Sequence, residues 1–337
     1  MKTDQNPVLI LFGPTACGKT GILLELFNFA NRVNPTGMRA EVVSADSMQV
    51  YRGMEIGTAK PSADEISRLP HHLIDIREPS EQFNAGDFVR LADEACMEIF
   101  SRGCLPVVSG GTGFYLKNFI MGLSEAPPSG KEVRERLKLE LNEKGAAALM
   151  EELAVCDPVS AGRIHINDEY RLLRALEVYR SCGKPLSSFE MNLKDKNITS
   201  TRKNFRFIII GLSRPREELY NRINLRCAQM FKQGLPAEVK SLYEKGYTPD
   251  DPGLRAIGYR EFFIEDSQAP RLWRLSQDID GVQALIAQNS RRYAKRQITF
   301  FAGIPDVQWV ECADNDFETA KLIRKIINNE QLELTPR

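Results

Sequence analysis

Apolar residues in this chain take two recurring forms: short unbroken runs, and longer stretches spaced three or four apart. Pro7-Val-Leu-Ile-Leu-Phe12 is an unbroken run ending at a glycine, the pattern of a strand covered on both faces. A helical stretch follows from about Gly21 to Ala30. Glu41-Val-Val-Ser44 predicts a second short strand, and His72-Leu-Ile-Asp75 a possible third. Between Ala85 and Arg102, Phe88, Leu91, Ala92, Ala95 and Ile99 recur at helical spacing, and Gly103 ends that helix. Leu105-Pro-Val-Val-Ser109 repeats the buried-strand pattern, with Gly110-Gly-Thr-Gly113 as its loop. Strands alternating with helices imply parallel βαβ units and an α/β fold.

The pattern changes after Gly122. Ala126-Pro-Pro-Ser-Gly130 reads as a linker, and the next 60 or so residues are charged and helical without a strand signal. Phe205-Arg-Phe-Ile-Ile-Ile-Gly211 then restores a core strand, and the remainder is mostly helical, best defined over Arg214 to Gln233 and Gly281 to Phe301. The simplest organisation is a parallel-sheet core over 1–125, an inserted all-helical lobe over 126–200, and a continuation of the core over 201–337.

Composition fits such a globular chain: 337 residues, 42% hydrophobic and 27% charged. Met1 to Pro7 lack the features of a signal peptide, and no apolar run approaches the roughly 20 residues of a membrane span. A cytoplasmic location is the expectation. The seven cysteines (Cys17, Cys96, Cys104, Cys156, Cys182, Cys227 and Cys312) are odd in number and scattered, with no CxxC pair, which disfavours disulfides and zinc ribbons. His71 and His72 would face opposite ways on a strand, so they make no convergent metal site. Balanced charge, 45 basic against 45 acidic residues, argues against indiscriminate coating of nucleic acid but leaves room for local basic stripes.

Gly13-Pro-Thr-Ala-Cys-Gly-Lys-Thr20 fits G-x-x-x-x-G-K-[ST] at every fixed position and sits between a buried strand and a helix. In such a P-loop, backbone N–H groups of Gly13, Pro14's neighbours Thr15, Ala16 and Cys17, and Gly18 turn inward at phosphate oxygens. The helix N-terminus adds partial positive charge. Lys19 would bridge the terminal phosphates and Thr20 would offer its hydroxyl to Mg²⁺. The loop alone favours an ATP user, since nucleotide kinases and NTPases share it. Cys17 reads either as a reactive thiol at a helix N-terminus or as a small residue filling a tight loop.

Asp46 stands at the C-terminal edge of the second strand, where open parallel sheets bind ligands, as a candidate proton acceptor, metal ligand or helix cap. Asp75, ending an apolar run, competes for the metal role. Arg291, Arg292, Lys295 and Arg296 make two like-charge pairs at i,i+4 on one helix. They suit either an anionic partner or a helix C-terminus. Arg171 and Arg174 share a helix face in the lobe, with Leu172, Leu173 and Leu176 free to pack and Arg180 on the opposite side; Tyr170 reads as a half-buried helix tyrosine.

These blocks together resemble a known family. Gly13 to Thr20, Ser44-Ala-Asp-Ser47, Tyr51-Arg-Gly-Met-Glu-Ile-Gly-Thr-Ala-Lys-Pro61, His71-His-Leu-Ile-Asp75, Gly110-Gly-Thr-Gly-Phe-Tyr115 and Ala294-Lys-Arg-Gln-Ile-Thr299 look like the ordered motifs of the bacterial tRNA dimethylallyltransferases, over nearly the whole chain. The departures are Cys17, where the family often has serine, and extra residues around Asn31 to Arg39. The resemblance implies a monomeric P-loop enzyme that grips the pyrophosphate of dimethylallyl pyrophosphate, with Mg²⁺. It implies transfer of the prenyl group to the exocyclic amine of the adenosine at position 37, in the anticodon stem-loop of tRNAs that read codons beginning with U. By the same resemblance Asp46 accepts the proton, Thr112 and Lys19 assist at the reacting groups, and Asp46, Ser47, Met48, Gln49 and Thr112 meet the target base. Further tRNA contacts are implied for Tyr170, Arg171, Leu172, Leu173 and Arg174. They are also implied for Arg255, Ala256, Ile257, Gly258, Tyr259 and Arg260, and for Arg292, Lys295, Arg296 and Gln297. The rivals are an isopentenyltransferase acting on free adenine nucleotide, a P-loop kinase of a small molecule, and an RNA-binding GTPase-like switch. The last lacks an Asn-Lys-x-Asp guanine signature.

Overall fold

Strand β1 (Asn6–Phe12) is the centre of the molecule because five consecutive apolar side chains, Val8 to Phe12, are fully buried. A strand so covered needs a parallel neighbour on each edge and helices on both faces. The computed structural model, which describes residues 5–27, 38–127, 130–189, 202–269 and 271–330, supplies both. β2 (Ala40–Ser44), β3 (His71–His72), β4 (Leu105–Gly110), β5 (Phe205–Ser213) and β8 (Gln308–Glu311) join β1 in one sheet of order β3-β2-β4-β1-β5-β8. Every pairing in it is parallel. β5 runs beside β1 from Asn6↔Phe205 to Phe12↔Gly211, so after the excursion of residues 123–201 the chain returns directly to the sheet's middle.

The core helices follow the predicted spacing. They are α1 (Lys19–Phe27), α2 (Ala63–Arg68), α3 (Ala85–Ser101) and α4 (Gly113–Met121) in the first part of the chain. α8 (Arg216–Lys232), α9 (Leu235–Glu244), α10 (Ile279–Phe301) and α11 (Asp316–Asn329) belong to the second. α3 begins with a capping box between Asn84 and Asp87 and buries Phe88, Ala92, Ala95 and Ile99, the stripe read from sequence. Among the described residues no helix is long and apolar enough to cross a membrane. The predicted helix end at 28–30, the extra residues at 31–37, the linker residues 128 and 129 and the insertion's last residues, 190–200, lie outside those described.

Two expectations differ from the observed strands. The predicted third strand, 72–75, is only His71–His72, because Leu73 (φ 63) and Asp75 (φ 56) turn left-handed. Residues beyond it bond instead to the loop after β2, with Ile76 N–H on the Val50 carbonyl at 2.8 Å. The segment after β5 holds more than helices. β6 (Phe263–Glu265) and β7 (Trp273–Leu275) form a small antiparallel hairpin, and β8 closes the sheet's edge. Each of these is three or four residues long and buries a single side chain, Phe263, Trp273 or Val310, too little apolar pattern to read from sequence.

Residues 123–201 form a separate compact unit. Its helices are α5 (Lys131–Cys156), broken in the middle at Gly145 (φ 80), then α6 (Pro158–Ala161) and α7 (Glu169–Cys182). Leu137, Leu149, Leu153, Leu172, Leu173, Ala175 and Leu176 make its core. Arg180 closes the unit's polar side by bonding Glu140 (2.8 Å) and Glu152 (2.6 Å), which holds the Glu140 carboxyl down at about 2. Tyr170, expected half-buried, is 67% exposed, with the Arg134 guanidinium 5.5 Å from its ring centre.

Candidate active site

The loop between β1 and α1 wraps as its glycines require: Ala16 (φ 64) and Gly18 (φ 102) reverse the chain so that it opens on a helix N-terminus. Lys19 folds back over the loop, donating to the carbonyls of Gly13 (2.9 Å) and Pro14 (3.1 Å). Two outer carbonyls of the loop are held from the β5–α8 segment. Arg222 Nε donates to Ala16 at 2.9 Å, and Arg214 Nε to Cys17 at 3.2 Å. Cys17 itself is fully buried, and a side chain at Gly13 would come within 2.8 Å of its sulfur. It fills the loop's interior, which removes the reactive-thiol alternative.

The loop after β2 packs against the loop after β4. Gly110 has no room for a side chain, because a Cβ would sit 2.1 Å from the Ala45 carbonyl. Thr112 N–H donates to that carbonyl (3.1 Å), and Thr112 Oγ1 accepts from Ser47 N–H (2.9 Å). Asp46 accepts from Met48 N–H at 2.9 Å, a turn contact that uses one of its carboxylate oxygens. Gln49 is drawn inward, accepting from the Ser44 hydroxyl (2.9 Å).

These loops face one cavity of about 710 Å³ at the carboxyl edge of the sheet. Thr15, Ala16, Gly18, Lys19 and Thr20 line it from the P-loop, Asp46 to Gln49 from the β2 loop, and Gly111 from the β4 loop. Arg255, Ala256, Ile257 and Gly258 complete one wall; Arg296 and Gln297 reach it from α10. Its apolar wall comes from Ile223, Leu225, Met230 and Ile286. Burial pushes the Tyr293 phenol up to about 12, helped by the nearby Asp46 charge, so it remains a neutral hydrogen-bonding group at the mouth.

Several residues expected to contact RNA are buried. Tyr259 is fully buried, and its hydroxyl donates to Glu238 at 2.6 Å and accepts from Gly57 N–H at 3.1 Å. It therefore props the 55–58 turn and offers no surface to RNA. Arg260 lies over the Trp273 ring, 4.4 Å from its centre, and Leu172 and Leu173 belong to the core of the helical unit. Gln297 is buried as well. It accepts from Thr15 N–H (2.9 Å) and donates to the Gly111 carbonyl (2.7 Å), clasping the P-loop to the β4 loop. Replacing it with alanine strands both groups, and Gln297→Ala is expected to cost about 1–3 kcal/mol. An unshifted urea midpoint would show that the two loops hold without the clasp. Asp75 is committed to Lys60 at 2.5 Å, whose ammonium also binds the Tyr51 carbonyl (2.9 Å). It thus has a cation already and stands outside the cavity lining.

Arg292, Lys295 and Arg296 are exposed on α10, and the helix's last turn carries no basic residue, which removes the helix-end alternative for this cluster. Arg291 is turned to Asn224 Oδ1 at 2.5 Å. The residues sequence reasoning missed are Arg222 and Arg226 on α8, four apart and both lining the cavity. Burial disfavours the Arg226 charge, and the Asp46 carboxylate offsets part of that. The signal was present: an i,i+4 like-charge pair, as on α10. Glu238, which takes N–H bonds from Glu55, Ile56 and Gly57, carried no signal at all.

A parallel sheet with a phosphate loop, a carboxylate and an apolar wall around one cavity defines a P-loop protein with room for a ligand part anionic and part apolar. Comparison with known proteins agrees. The IPP transferase family profile matches residues 49–303. The tRNA dimethylallyltransferase of Geobacter sulfurreducens is 41% identical over 312 residues, covering 93% of this chain and 94% of the relative. That of Bacillus cytotoxicus is 38% identical, covering 98% and 97%. The crystal structure of the full-length tRNA isopentenylpyrophosphate transferase from Bacillus halodurans superposes with a TM-score of 0.65 at 36% identity, covering 97% of both chains. A eukaryotic dimethylallyltransferase described as acting on tRNA gives 0.74 at 26% identity, over 97% of this chain and 79% of that one. This chain belongs to the tRNA dimethylallyltransferase family and is a prenyltransferase.

Proposed function

We propose that this protein transfers a dimethylallyl group from dimethylallyl pyrophosphate to the exocyclic amine of the adenosine beside the anticodon, position 37, in tRNAs that read codons beginning with U. The observation that carries this is the facing of Asp46 and the P-loop across one cavity with an apolar wall. The diphosphate occupies the loop, where backbone N–H groups and Lys19 stabilise the negative charge that develops as the allylic C–O bond breaks. Arg222 and Arg226, which reach the loop at Ala16 and Thr15, add positive charge beside it. The adenine amine attacks the allylic carbon, an N–C bond forms, and pyrophosphate departs with the electron pair. The amine's proton passes to the Asp46 carboxylate.

The donor set suits Mg²⁺, which binds through few protein oxygens and keeps the rest for water and phosphate. Thr20 lines the cavity, and among the described residues no group of three or more His, Cys, Asp or Glu forms a cage for another metal. Thr20 would hold the ion, which would supply Lewis-acid neutralisation of the diphosphate. In the helical unit, exposed Tyr170 and Arg171 are the side chains available to RNA. On the core, exposed Arg292, Lys295 and Arg296 serve the same end.

The test offers labelled dimethylallyl pyrophosphate and Mg²⁺ with tRNA, with AMP, or with a small hydroxylated metabolite plus ATP. Label is expected in tRNA alone. Label in AMP with none in tRNA would identify an enzyme of free nucleotides, and phosphate transfer from ATP a kinase.

A further inference from the structure

Two phenylalanines stand exposed on α4 and α10, close in sequence to the cavity-lining Gly111 and Gln297, and the chemistry above gives neither a task. Phe114, the second residue of α4, is 58% exposed, and Phe300, in the last turn of α10, is 38% exposed. Their segments touch. A side chain on Gly113 would meet the Phe300 ring at 2.4 Å, so that ring covers the residue next to Phe114. The same short loop reaches the reacting groups, because Gly111 lines the cavity and Thr112 is bonded to Ser47, next to Asp46. On α10, exposed Lys295 and Arg296 lie about one turn before Phe300.

Exposed rings on two touching segments, one of them a turn beyond two cations, match single-stranded nucleic acid, whose bases stack on aromatic faces while its phosphates meet the charges. An apolar protein partner or a lipid tail would leave Lys295 and Arg296 without a counterpart. We propose that Phe114 and Phe300 form a stacking platform for the nucleotide that flanks the target adenosine. This rests on the function proposed above. An adenine that turns out of its loop leaves the neighbouring base with one unstacked face. An exposed ring covers that face and holds the loop open while the adenine occupies the cavity.

The experiment uses an anticodon stem-loop RNA carrying 2-aminopurine next to the target adenosine, whose fluorescence is quenched on stacking. With the native protein, binding is expected to quench it. Phe114→Ala and Phe300→Ala are each expected to weaken stem-loop binding by at least about 5-fold, the lower end of the ~1–3 kcal/mol of one base–aromatic stack, to raise KM more than they lower kcat, and to relieve the quench. Phe114→Trp is expected to restore all three. The platform is refuted if both alanine variants, folded by circular dichroism, bind within twofold of native, or if they bind weakly with the quench intact. Failure of the native protein to prenylate the stem-loop would instead refute the reaction, while affinity and quench still score the platform.

Discussion

Asp46→Asn is expected to lower kcat for prenyl transfer by about 10²–10⁴-fold while leaving donor binding within a few-fold of native. The substitution is nearly isosteric, and its amide oxygen can still accept from Met48 N–H, so the turn after β2 should survive. What disappears is the basic oxygen facing the cavity. An adenine amine is a weak nucleophile because its lone pair is delocalised into the ring. It becomes effective only if the N–H proton leaves as the N–C bond forms. Single-turnover rates with saturating donor and RNA isolate this step from binding. A variant that turns over within threefold of native would exclude Asp46 as the base. The choice of asparagine matters, since alanine would also free the Met48 N–H and confuse chemistry with loop disorder.

Lys19→Ala should reduce kcat/KM for the donor by about 10²–10³-fold, the usual consequence of removing one donor to a developing anion. The ammonium is the mobile charge of the loop. It is held by two neutral carbonyls, of Gly13 and Pro14, which a diphosphate oxygen can outcompete. The loop's frame is anchored elsewhere, by Arg222, Arg214 and Gln297, so the variant should fold. Pyrophosphate inhibition gives the independent check: its inhibition constant should rise along with the donor's KM. If kcat/KM fell while pyrophosphate bound as before, Lys19 would act on the transition state alone and not on the bound diphosphate.

The elements that sequence pattern located are those whose function or burial is local. β1, β4 and β5 announce themselves because both faces are buried, and α3, α8 and α10 because one face is. The P-loop is legible for the same reason, since its spacing is imposed by one turn of backbone around a phosphate. Elements with little apolar surface escape. β8 buries Val310 and exposes its neighbours, and β3 ends after two residues because Leu73 and Asp75 turn left-handed. Family-typical blocks mislead in a different way. Tyr259 was read as a contact to RNA, yet it is fully buried, and Gln297, which does line the cavity, also clasps two loops of the frame. A motif records that a residue matters without recording whether it touches the substrate or holds something that does.

By itself the chain's order of residues determined a parallel sheet carrying a phosphate loop, a helical insertion and an acid at a strand's end, because period and loop chemistry act over a few neighbours. Only the tertiary structure decided which distant groups meet. Gln297 ties together loops more than 90 residues apart, Arg214 after β5 and Arg222 on α8 grip the P-loop's carbonyls, and Glu238 holds the 55–58 turn. Those partners are brought together by where β5 and α10 pack against β1, and packing of that kind leaves no periodic trace in the segments it joins.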